Sequence, residues 1–131
     1  MITAFANAAP SIATPAGKQP KSDEVLAAIA DELFAAGYEV ERSKHAANKL
    51  TRPVLFGENG KATVEYDVDA FHPGHGVVLE VEAGRGAASN ADYRDIVRSS
   101  LLVGARFLAL ALMLEYVGGG RPIRSFENTR N

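Results

Sequence analysis

Five acidic side chains are spaced so that they could act together: Glu65, Asp67 and Asp69 in the run TVEYDVDAF (63–71), and Glu80 and Glu82 in VVLEVEA (77–83). In both runs the acids alternate with apolar residues (Val64, Tyr66 and Val68, then Leu79 and Val81), which is the period of a half-buried strand. Between them, His72-Pro73-Gly74-His75 reads as a turn, because Pro presets φ at the second position and Gly accepts a positive φ at the third. A turn over 72–75 makes Phe71 face Gly76. It then sets Asp67 across from Glu80 and Glu65 across from Glu82, and aims all five acids to one side of two adjacent strands. Like charges directly opposed destabilise a sheet, so this wall needs water, raised pKa values, basic neighbours or a divalent cation to offset it. Mg²⁺ takes one or two carboxylates and completes its shell with water and phosphate oxygens. A solvated acidic face is the ordinary outcome of such alternation. Glu80 and Glu82, however, lie in a strand apolar enough to be central, where a charge needs a reason.

The elements that must position these acids follow from the rest of the chain. Val25, Leu26, Ile29, Leu33 and Phe34 recur at helical spacing, with Ser22 as a cap, Asp23 and Glu24 in the first turn, and Gly37 as the stop. A short strand over 38–42 comes next, then a loop over 43–62 carrying Lys44, His45, Lys49, Arg52 and Lys61 against the single acid Glu58. After the two acidic strands, Ser89 and Asp92 form a capping box that opens a helix to about Val103, with Tyr93, Ile96, Val97 and Leu101 on its inner side. Arg106 to Leu114 reads as a last, buried strand. The order is helix, three strands, helix, strand, within residues 22–117. Residues 1–21 show no apolar period and carry three prolines, the composition of a mobile arm. Residues 118–131 begin with three glycines and form a polar tail or a short terminal element, in which Ser125, followed by Glu127 and Asn128, could start a helix that the chain is too short to develop.

Composition narrows the function classes. A chain of 131 residues has room for one domain. Its net charge of −2 excludes a uniformly basic nucleic-acid binder, though not local patches. With no cysteine there is no disulfide, Cys-based zinc site or thiol catalysis, and a reducing cytoplasm is the expected home. The N-terminus lacks the pattern of a signal peptide, and the greasiest run, Phe107 to Leu114, is far short of the ~20 residues a membrane helix needs. His72 and His75 have metal-like spacing but flank a turn and lack a third ligand. Gly118-Gly119-Gly120 lacks the Lys-Ser/Thr of a phosphate-binding loop. Arg94 and Arg98, four apart on the outer face of the second helix, could grip phosphates with Arg85, and the basic 43–62 loop, Lys49 and Arg52 included, leans toward a polyanion partner.

The element order, with an Asp on the second strand (Val68-Asp69-Ala70-Phe71) and Glu-x-Glu on the third (Leu79-Glu80-Val81-Glu82-Ala83-Gly84-Arg85) followed by Asn90-Ala91-Asp92-Tyr93-Arg94-Asp95, resembles the PD-(D/E)xK nuclease superfamily, in particular its restriction-endonuclease-like proteins. The resemblance spans residues 22–117. It implies an α/β fold with an αβββαβ core, a mixed four-stranded sheet flanked by helices, and metal-dependent endonucleolytic cleavage of DNA. Asp69, or Asp67, which the register puts nearer Glu80, would hold Mg²⁺ or Mn²⁺ together with Glu80. The third motif position is usually Lys; here it is Glu82, which would have to ligate metal or take a proton from water. Symmetric homodimers suit cutting of two strands. The alternatives are a catalytically silent nuclease fold that binds DNA or protein, and a metal-dependent hydrolase of small phosphate esters.

Overall fold

The computed structural model describes residues 1–13, 19–42, 48–83, 90–118 and 121–131. The protein is mixed α/β. Helices α1 (Ile2–Ile12) and α2 (Ser22–Ala35) precede strand β1 (Glu39–Val40). Strands β2 (Thr51–Phe56), β3 (Ala62–Asp67), β4 (Ala70–His72) and β5 (Val77–Glu82) follow, then helix α3 (Ala91–Leu101) and strand β6 (Phe107–Leu112). Strands β7 (Tyr116–Gly118) and β8 (Arg121–Ile123) and helix α4 (Ser125–Arg130) close the chain. The central sheet has four strands in the order β1-β4-β5-β6, antiparallel except for the parallel β5–β6 pair. β2–β3 and β7–β8 are separate antiparallel hairpins.

Strand alternation divides the core. One face of the sheet, with Ala70, Leu79 and Val81, packs under Val25, Leu26, Ile29 and Leu33 of α2 and Ala4 of α1. The opposite face, with Phe71 and Val78, meets Val68 and Leu102 and is overlain by Leu50, Val54 and Tyr66 of the β2–β3 hairpin region. The Val103 N–H donates to the Pro53 carbonyl at 2.9 Å and fastens this hairpin to the end of α3. Among the described residues no helix is long and apolar enough to cross a membrane.

Several expectations are corrected. Residues 2–12 are helical where an arm was expected: Met1, Ala4, Phe5, Ala8 and Ile12 form an apolar stripe against the core, and Pro10 is tolerated in the last turn. The N-cap of α2 is Lys21, whose N–H donates to Glu24 at 2.9 Å; Ser22 is already helical and its hydroxyl goes elsewhere. The 43–62 loop contains β2, masked in the sequence by Arg52 and by Pro53, which sits next to a register shift where a strand tolerates it. Residues 63–71 are two strands, because the chain leaves β3 at Asp67 and joins the central sheet only at Ala70. The turn occupies 73–76, with the Gly76 N–H donating to the His72 carbonyl at 2.8 Å and Gly76 at φ +67°. A Cβ on Gly76 would also come within 2.5 Å of the Gly104 carbonyl oxygen, so glycine is required there.

α3 is turned over relative to expectation. Asp92, Asp95 and Ser99 are buried while Tyr93, Ile96, Val97 and Leu101 are exposed. The helix lies over the acidic end of β5, so its polar stripe is the one that finds partners. It opens at Asn90; Ser89, the expected cap, is outside the described residues. β6 is an edge strand rather than a buried one, with Phe107 exposed. Between β6 and α1 runs an apolar groove of about 880 Å³. The C-terminal residues are a hairpin and a helix that starts at Ser125, a terminal element rather than a tail, tied back by the Thr129 hydroxyl donating to Asp92 at 2.7 Å and the Phe126 N–H donating to the Met113 carbonyl at 3.2 Å.

Candidate carboxylate site

The true register decides which acids meet. Ala70 pairs with Leu79 and Phe71 with Val78, so the expected pairing of Asp67 with Glu80 and Glu65 with Glu82 is overturned. Asp67 lies across from Thr51 and Glu65 across from Pro53 in the separate hairpin. The offset from the expected register is an even number of residues, which keeps the faces and changes the partners. The register through Ala70 and Leu79 brings Asp69, not Asp67, beside Glu80.

β4 ends at its Asp69 side while β5 runs on, so the N–H groups of Val81 and Ala83 lack β4 partners. Asp69 Oδ2 accepts from the Val81 N–H at 2.7 Å, and the Ser22 hydroxyl accepts from the Ala83 N–H at 3.1 Å. Side chains thus complete the ladder, and in doing so fix Asp69 and the start of α2 against β5. The Glu41 N–H donates to the Asp69 carbonyl at 2.8 Å, which adds the end of β1 to the same corner.

The electrostatics of the corner are severe. Glu80 is pushed up to about 9, first by burial, then by Asp69, Asp95 and Glu82; only the Asp69 backbone N–H opposes this. Glu82 is pushed up to about 7 by burial and by Asp95, with which it shares a hydrogen bond, while Arg94 pulls it down. Burial and the neighbouring Asp95 carboxyl thus favour the protonated form of Glu82. Glu41 is also raised, by burial and by Asp69, with Lys49 working against it. Arg94 brings a positive charge to this site: its Nε is 3.3 Å from Asp95 Oδ1 and its Nη2 is 3.7 Å from Glu82 Oε1.

The other residues singled out in the sequence lie apart. Asp67 is paired with Lys49. Arg52 bonds Glu39 at 3.2 Å and stacks on Phe71 at 4.0 Å. Arg98 lies over the Tyr66 ring at 5.3 Å. Arg85, with Lys44 and His45, lies outside the described residues. The His72 and His75 rings sit 4.4 Å apart at the hairpin turn. Sequence reasoning missed Asp95 and Glu41. The polar stripe Asp92, Asp95, Ser99 was available as a signal for Asp95, but the apolar stripe on the same helix outweighed it. Among the described residues, no group of three or more His, Asp and Glu side chains could hold a metal ion by itself. Comparison with family models, curated proteins and solved structures found no match.

Proposed function

We propose that the protein is a metal-dependent endodeoxyribonuclease with a restriction-endonuclease-like αβββαβ core, in which the β2–β3 hairpin is an insertion. The observation that carries this reading is the pair Asp69, immediately before β4, and Glu80 on the neighbouring β5, with Glu82 two residues on and a helix carrying Asp95 and Arg94 laid over them. The sheet order β1-β4-β5-β6 with one parallel pair, and α2 and α3 in their places in the chain, support the core assignment. A fold that keeps a carboxyl near pKa 9 in its central sheet is spending stability on a site, and perturbed acids of this kind cluster at functional sites.

The donor set fits a hard divalent cation. Two adjacent carboxylates suit Mg²⁺ or Mn²⁺, with water and phosphate oxygens supplying the remaining ligands. A dication would also offset the mutual repulsion that raises Glu80. Asp69 and Glu80 would hold it. When bound, such an ion polarises the phosphate and lowers the pKa of its water. The protein's own part is geometric and protonic. The Val81 N–H orients Asp69, and Glu82, its pKa raised, stands beside Asp95 at the edge of the site.

The test is nicking of supercoiled plasmid in Mg²⁺ or Mn²⁺, with a chelator control and Glu80→Gln alongside. The expected result is metal-dependent cutting that the variant loses; cutting retained by Glu80→Gln overturns the assignment. Glu82 in the usual lysine position favours a second reading, a silent fold that binds DNA. In that case DNA binding survives chelation and Glu80→Ala leaves it intact, with no cutting in any condition.

A further inference from the structure

Among the described residues the carboxylates of this corner outnumber its cations. Asp69, Glu80, Glu82 and Asp95 act on one another electrostatically, and a phosphodiester brought among them adds another anion. A metal ion answers part of this. The strand position two residues after Glu80, from which a lysine could point at the same spot, is occupied by Glu82. Among the described residues, Arg52 is paired with Glu39 and Arg98 is stacked on Tyr66, and Lys49, which acts on Glu41 at the β1 side of the corner, is already paired with Asp67.

Resting on the nuclease reading above, we propose that Arg94 supplies the missing cation from helix α3 and donates hydrogen bonds to the scissile phosphate. Three observations carry this. Arg94 is held at one edge only: its Nε lies 3.3 Å from Asp95 and one terminal nitrogen 3.7 Å from Glu82. A guanidinium has five N–H donors in a planar fork, so others remain to meet a phosphate oxygen. Its side chain is 53% exposed, whereas Asp95 beside it is 7% exposed, so a buried anchor carries a head that reaches solvent at the site. Finally, Glu82 faces the guanidinium, so the residue that replaces a cation on the strand becomes the one that steers a cation from the helix. Asp95 is a positioning residue, acting through Arg94 rather than on substrate. No covalent step passes through either side chain; the guanidinium stays protonated throughout.

The experiment measures single-turnover plasmid cleavage and, separately, binding of a fluorescent duplex in chelator by anisotropy. The proteins are wild type, Arg94→Met, Arg94→Lys, Glu80→Gln and the double variant Glu82→Lys/Arg94→Met, each checked for fold by circular dichroism. Loss of one donor aimed at transition-state charge costs about 100-fold in rate. Arg94→Met is therefore expected to cut about 100-fold more slowly while KM and metal-free binding stay within about threefold. Arg94→Lys should recover part of the rate, and Glu82→Lys should restore at least about tenfold to Arg94→Met by returning a cation to the strand. Arg94→Met cutting at the wild-type rate while Glu80→Gln is dead overturns this proposal and leaves the nuclease reading standing. A loss confined to KM and binding also overturns it, since Arg94 then only grips the backbone. If Arg94→Met does not fold, Arg94→Lys decides: a rate below wild type at unchanged KM supports the proposal, and wild-type kinetics overturn it. A wild-type protein that cuts nothing overturns both readings together.

Discussion

Strand β5 has two faces that could hardly differ more, although they alternate along six residues of one backbone. Leu79 and Val81 point into the apolar layer beneath α2 and are almost fully buried. Glu80 and Glu82 point the other way, into a corner where carboxyls crowd one another and hold protons well above their usual range. The first face stabilises the protein through contacts any hydrophobic core would make. The second face costs stability, and α3 must turn its own polar stripe inward to cover it. The same strand thus serves as scaffold on one side and carries the candidate carboxylate site on the other.

Substitutions at adjacent positions of β5 should therefore have opposite signs. Leu79→Ala removes a fully buried side chain and should destabilise the protein by about 3 kcal/mol, measured by urea unfolding. A loss below about 1 kcal/mol would mean that the layer under α2 is loosely packed. Glu80→Gln should stabilise it. The folded-state value of Glu80 lies above its unfolded value, so the native protein keeps a proton the unfolded chain has released. Wild-type stability accordingly falls as pH rises from about 4.5 towards 9, and the glutamine variant escapes this loss. The difference between the two should be near zero at pH 4.5 and reach on the order of 3 kcal/mol at pH 8. A difference that stays flat with pH would sink the account of the corner. The smallest effect is expected on the outward face of α3. Val97→Ser should change stability by less than about 0.5 kcal/mol, because this side chain is exposed in the chain by itself. A larger loss that depends on protein concentration would place a second copy on that face.

Strand periodicity is why so much of the sheet was legible. Alternation at 77–83 and the helical stripe at 25–34 each name a face, and these elements stand where expected; the run after Arg106 names a strand but no face, and it proves to be an edge. Alternation does not name a neighbour, however. Val64, Tyr66 and Val68 continue one pattern through a point where the chain changes sheets, because both cores want an apolar residue at every second position. The acids Glu65 and Asp67 were lost from the site for this reason, while Asp69 survived, since an even shift in register preserves the face. β2 was hidden by its proline and its charges, and α1 by an alanine-rich stripe too small to read as apolar. The inward polar face of α3 was obscured because a rule that buries grease fails wherever a helix covers charge.

The inversion of α3 also bears on the order of events when the chain folds. A helix that seals itself to a sheet with leucines and valines can join early, because loose and non-specific contact already lowers its free energy. α3 buries Ala91 and Leu102 at its ends and, between them, Asp92, Asp95 and Ser99. Such groups gain nothing from approximate contact; they lose hydration first and recover it only when each partner is in place. Early collapse is therefore expected to belong to α2 and the inner strands, with α3 docking after them; faster amide exchange in α3 than in α2 would check it. Asp95 and Arg94 thereby sit on the element expected to open first, at a free energy below that of global unfolding.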